Sequence, residues 1–372
     1  MAHLLYDAKY LFGREDPSDM SEVQHSEHLC SPFGSPLSIK QLNPFEIYEL
    51  TIGYEVLDQD FFPVKWANSK GLVSRELIKT VIERGHLNCL KHLECEWDDG
   101  DCSIAAANDH LNCLVYLHEE GCPWNKKTCA SAARNGHLRC LQYLHEEGCE
   151  WDEWTCNGAI LNDSLECLIY AHKEGCEWNK WTCYTAASAG NLDCLIYLHE
   201  KGCEWDEWTC YTAASNGHLD CLIYAHTNGC EWDRGTCNQA AQNGHINCLI
   251  YAHINGCPWD EETCLAAASN GRLDCLIYAH KNGCVWRDIC MTCVESGYLD
   301  CLLYAHQNMG GWGEECRTII YAYTIEHINC LQYLIENDCS VDYHVYASCK
   351  LTDQQLELVK KCRSVELVDQ RI

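Results

Sequence analysis

Eight tryptophans, Trp97, Trp124, Trp151, Trp178, Trp205, Trp232, Trp259 and Trp286, stand 27 residues apart along the chain. This spacing constrains the fold more than any other feature, because a fixed period of such length marks a chain built from stacked structural units. Aligned at that step, the sequence yields a unit such as TCYTAASNGHLDCLIYAHTNGCEWDRG, residues 209–235. Close copies run from about residue 98 to residue 286, and degenerate ones extend the pattern to about residues 72 and 349.

The unit reads as two short helices. Thr209 is placed to cap the first, Ala213 and Ala214 give it a small face, and Asn216-Gly217 ends it. The second, around HLDCLIYAH, sets Leu219, Leu222 and Ala225 on one stripe with Cys221 and Tyr224 flanking it, and Gly229 ends it. A pair this small cannot hide its own apolar face, so it has to stack on its neighbours. The fold expected is an all-α solenoid of helix-loop-helix repeats, with about ten pairs.

The order Thr209, Ala213-Ala214, Gly217-His218-Leu219 and Gly229 resembles the ankyrin repeat. Cys230 stands where that pattern has a small Ala, and Trp232 where it has an aliphatic residue. The departure is length, since ankyrin repeats run to about 33 residues. The missing residues fall between Trp232 and Thr236, so a tight loop is expected in place of the projecting β-hairpin. The GC-x-W…TC spelling is similar to short ankyrin-type repeats in giant DNA viruses and some protists. The resemblance implies a protein-protein interaction scaffold that binds through its loop and first-helix edge.

The ends break the pattern. Residues 1–65 are non-repeat and contain SPFGSPLS, which reads as a flexible linker, followed by a segment read as a capping helix pair. The array is assigned to residues 66–349, and residues 350–372 to an amphipathic capping helix. LNPFEIYELTIGYEVLDQDFFPVKW also distantly resembles an F-box through Leu42, Pro44, Glu46 and Ile47, with Trp66 at its end. That resemblance implies the alternative of a ubiquitin-ligase substrate adaptor.

Composition narrows the partners. With 26 basic and 55 acidic residues, the formal net charge is −29. Such a surface repels phosphate backbones and anionic lipid head groups, so neither nucleic acid nor a membrane is expected as partner. No window is apolar enough to span a bilayer, and the first residues do not read as a signal peptide. The 32 cysteines lie in core-like helical contexts, where a reduced thiol behaves as a small hydrophobe. A cytoplasmic location is expected, within a host cell if the chain is viral.

One arrangement suggests metal. Seven successive copies carry Cys-x4-His-x3-Cys followed by a further Cys, as in Cys221, His226, Cys230, Cys237 and in Cys140, His145, Cys149, Cys156. Thiolates and imidazole are zinc ligands, so a zinc-stapled repeat is the other alternative. Against it, Cys221 and His226 project about 140° apart around one helix, at about 100° per residue. No cofactor is therefore assigned. The His of this set is unchanged in all seven copies, whereas His137, His218 and His245 give way to Ser164, Asn191 and Arg272 in sister copies. A role at the helix C-terminus accounts for it, complementing the dipole and bonding a free carbonyl.

Catalysis finds no foothold: nucleophile elbow, P-loop, dinucleotide fingerprint and HExxH are all missing. The chain is read as a non-enzyme. The 27-residue tryptophan column is expected to form a buried ladder. A second set differs: Trp154, Trp181 and Trp208 occur in three adjacent copies, while sister copies have Lys127, Gly235 and Glu262. Tyr184 and Tyr211 vary likewise against Ala130, Asn157 and Asn238. Copies keep what stacking needs and vary what partners see, so these aromatics are expected to be exposed and to bind protein. Glu153, Lys180 and Glu207 form their expected rim.

Overall fold

From the helix capped by Asp98 to the one capped by Asp260, each first helix starts on an Asx residue in extended conformation. Asp206, at φ −143° and ψ −172°, caps Glu207–Asn216 by accepting from the Trp208 amide. This corrects the expected cap at Thr209, which lies three residues further on, inside the helix and fully buried. The short Asp side chain reaches the N–H two positions ahead, which satisfies one of the helix's orphan donors. In the copies capped by Asn, the Thr hydroxyl returns the favour: Asn179 N donates to Thr182 Oγ1.

Gly217 closes the first helix in the left-handed conformation at φ 79°. The second helix, Leu219–Thr227, buries Cys221, Leu222 and Ala225. Its core stripe thus runs through Cys221, and Leu219 is only half-buried. The first helix buries Thr209, Cys210, Ala213 and Ala214. These small side chains let neighbouring helices approach closely. At Gly158, a Cβ would stand 2.9 Å from the Ala130 carbonyl oxygen of the copy before.

The computed structural model describes residues 73–309 and 327–337, with two three-residue strands at 28–30 and 36–38. The chain divides into two compact units, Met1–Asn162 with Ile169–Cys176, and Asp163–Leu168 with Glu177–Ile372. In the first, the helices Arg75–Glu83, Asp99–Ala107, Lys126–Arg134 and Glu153–Leu161 stack in one layer. Leu87–Leu90, Leu111–Glu119 and Leu138–Glu146 stack in a second. In the other unit, Lys180–Ala189, Glu207–Asn216, Arg234–Asn243, Glu261–Ser269 and Ile289–Ser296 form the first layer. Leu192–Glu200, Leu219–Thr227, Ile246–Ile254, Leu273–Lys281, Leu299–Met309 and Ile328–Glu336 form the second. Helix Leu165–Lys173 carries the boundary.

Each unit is thus a stack of helix pairs, and the array is an all-α solenoid. Residues 228–233 connect one copy to the next as a short loop without strand, as the reduced period demands. Among the described residues, the strands are a single antiparallel pair, His28–Cys30 with Pro36–Ser38, so the end of SPFGSPLS is extended and paired. The F-box-like residues Leu42, Pro44, Glu46, Ile47 and Trp66, and the cap assigned to 350–372, lie outside the described residues.

Candidate protein-binding surface

The constant residues of the repeat are consumed by contacts between copies. His226 Nδ1 lies 2.9 Å from the hydroxyl of Tyr251 in the following copy. Its ring stacks on Trp232 at 3.7 Å, and Trp232 meets Tyr251 edge-on at 6.1 Å. The same triad recurs in the first unit at His118–Trp124–Tyr143 and His145–Trp151–Tyr170. In the second it recurs at His199–Trp205–Tyr224, His253–Trp259–Tyr278 and His280–Trp286–Tyr304. The His column is therefore fixed by an aromatic partner one copy away. The 27-residue tryptophan column is half-buried, with Trp124, Trp151, Trp205, Trp232, Trp259 and Trp286 stacked on imidazoles, where a buried ladder was expected. Burial lowers the pKa of His226, His253 and His280, favouring the neutral ring.

The cysteines are likewise committed. Cys230 Sγ donates to the Asp206 carbonyl oxygen at 3.1 Å, across the copy boundary. Its thiol neighbour and burial push the Cys210 thiol up. Cys221 is pushed up to about 12 by burial and by the Asp220 carboxylate beside it. None of the 27 cysteines within residues 73–309 and 327–337 is in a disulfide, and 25 of them are buried. The Cys-His-Cys-Cys set read as a zinc alternative is not gathered at one point: His226 turns to Tyr251, and Cys230 to Asp206. Among the described residues no group of three or more His, Cys, Asp or Glu side chains is arranged to hold a metal ion.

No family model and no curated protein matches the chain. Its own variable columns therefore have to locate the surface. Trp154, on the first unit, is 64% exposed, and beside it Glu153 is exposed too. The Trp154 amide is held by Asp152, which also takes Lys126 at 2.7 Å.

On the second unit, Trp181 is 63% and Trp208 50% exposed. Each sits in the first turn of its helix and leans edge-on against the tyrosine three residues later: Trp181 on Tyr184 at 5.1 Å, Trp208 on Tyr211 at 4.9 Å. Three residues apart on a helix is one face, so each indole is braced from below. Tyr184 departs from expectation, being 6% exposed. Its hydroxyl donates to the Asp206 carboxylate. Tyr211 is half-buried. One copy further on, Trp208 stands in the column that Gly235 occupies after Tyr211. At Gly235 a Cβ would meet the Tyr211 ring at 3.2 Å.

Asp206 ties this surface together. Burial alone would raise its carboxyl, but the hydrogen bonds from Tyr184 and the Trp208 amide, with Lys180 beside it, bring it below its ordinary value. Lys180 Nζ stands 3.3 Å from Asp206, so this cation is spent within the edge instead of forming a free rim. Glu207 is exposed. The repeat alignment does not single out Asp206, because the copies on either side cap the same helix with an Asx residue too. Gly235 carries a signal, as the glycine that follows three successive tryptophans in its column.

Proposed function

We propose that this chain is a protein-protein interaction scaffold of ankyrin-like repeats, binding partner proteins through its loop and first-helix edge. The observation that carries this reading is the exposure of Trp154, Trp181 and Trp208 in a column where other copies have Lys, Gly or Glu. Large apolar rings held open to solvent cost solubility, and tryptophan is enriched where binding energy concentrates. No constellation of activated nucleophile and base supports a reaction, and the reading is of a non-enzyme. The wealth of buried thiols outside any disulfide suits a reducing compartment such as the cytoplasm, and the viral or protist resemblance belongs to the same reading.

The test is a triple variant, Trp154→Ala, Trp181→Ala and Trp208→Ala, compared with wild type by thermal melting and by affinity capture from native lysate. Melting is expected to stay unchanged, because sister copies accept other residues there. Binding to the captured partner is expected to weaken by more than about 2 kcal/mol. Unchanged capture would move the binding surface elsewhere, and collapsed melting would return the tryptophans to the core.

A further inference from the structure

We infer that the Trp181–Trp208 edge of the second unit takes a basic, arginine-containing extended segment of a partner protein. This rests on the scaffold reading above and names the chemistry of its partner. Two indoles stand exposed on successive copies, each held in one orientation by a tyrosine beneath it. Preorganised rings with open faces attract guanidinium groups, through the negative face of the ring and through planar stacking.

Charge points the same way. Between residues 177 and 262, the connecting loops and first helical turns carry three cations, Lys180, Lys201 and Arg234. Lys180 is engaged with Asp206 at 3.3 Å and Arg234 with Asp260 at 2.9 Å, and Lys201, at the end of a second helix, lies over the ring of Tyr197 at 5.7 Å. Around the indoles, Glu204, Glu207, Glu231, Asp233, Glu261 and Glu262 are exposed, and none of these is in an ion pair among the described residues. The edge thus offers aromatic faces set among uncompensated carboxylates, on a chain of net charge −29. An anionic segment is repelled, and a purely apolar one leaves the carboxylates unused. An arginine side chain satisfies both, laying its guanidinium on an indole while its N–H groups reach a neighbouring glutamate. An extended segment suits the edge, because the two indoles repeat at the step of the stack and not along one helix.

The probe is a fluorescein-labelled peptide of alternating arginine and serine, titrated with the full chain at about 0.15 M salt, where long-range attraction is screened. A matched peptide with citrulline in place of arginine removes the charge and keeps the shape. Saturable binding of the arginine peptide and none of the citrulline peptide is expected. Trp181→Ala with Trp208→Ala should weaken binding by about tenfold or more. Glu204→Gln with Glu207→Gln should weaken it comparably, and these exposed residues leave folding intact. Glu200→Gln with Glu295→Gln, exposed acids at helix C-terminal ends, should leave it unchanged. Equal loss from both acidic pairs, or no loss from the tryptophan variant, means diffuse attraction to an acidic chain and overturns the inference. Capture of a partner that depends on the tryptophans while the arginine peptide does not would keep the scaffold and discard the basic segment. If neither depends on them, both readings fall.

Discussion

His226 is where three contacts meet: the Tyr251 hydroxyl, the face of Trp232 and the last turn of its own helix. Tyr251→Phe removes the hydroxyl alone and should cost about 1 kcal/mol, while His226→Phe keeps a ring on Trp232 and should cost about as much. The double variant should lose less than the sum, giving a coupling of about 0.5–1.5 kcal/mol in urea denaturation. Additive losses would show that the bond contributes nothing. A pH dependence follows from the lowered pKa of this imidazole. The unfolded ring takes up its proton near pH 6.5 and the folded one only at lower pH, so the unfolded state gains as pH falls below about 6.5. The stability that neutral His226 contributes is present above that pH and is lost below it. The gap between wild type and His226→Phe should therefore narrow on acidification, and a gap that widens contradicts the lowered pKa. The sequence marks this histidine as fixed. It cannot mark its partner, because an alignment of copies lays Tyr251 over Tyr224 and conceals that each tyrosine serves the copy before its own. Burial of Tyr184 was hidden for the same reason, since the carboxylate its hydroxyl reaches, Asp206, lies one copy further on.

Two glycines of one repeat share a left-handed backbone and differ in what surrounds them. Gly217 ends the first helix at φ 79°, and a Cβ there would stand 2.4 Å from the ring of His245 in the next copy. Gly229 ends the second helix at φ 86° with nothing within 4 Å. Gly229→Ala pays only for the backbone and should cost about 1 kcal/mol. Gly217→Ala must also displace the imidazole of His245 and should cost about 2 kcal/mol or more. Urea midpoints of the two variants measure the difference, and a reversed order would place the strain wrongly. Helix ends were legible because glycine alone is at ease in that conformation. Helix starts were read three residues late, since threonine and aspartate are both good caps and only the backbone shows which one is extended.

For the whole molecule, the 27-residue step and the paired apolar faces made the helical stack readable before any coordinate. The division into two units was not readable, because the copies on either side are spelled alike. Charge remains the collective variable. A net −29 sets carboxylate against carboxylate along both stacks, and salt screens exposed charges over about 8 Å at physiological strength. The urea midpoint should therefore rise as sodium chloride is raised from about 0.01 M to about 0.15 M, and a midpoint that falls would mean that the ion pairs outweigh the repulsion. The rung from each histidine to the tyrosine that follows has one more consequence. Within the second unit, His199, His226, His253 and His280 all present the same group to the same partner. Excising a single period joins His199 to Tyr251 with no new chemistry, and inserting one adds a rung of the kind already there. A gene encoding such a chain can gain or lose whole periods by unequal recombination, so its length is free to drift while selection acts on the few positions where the copies disagree.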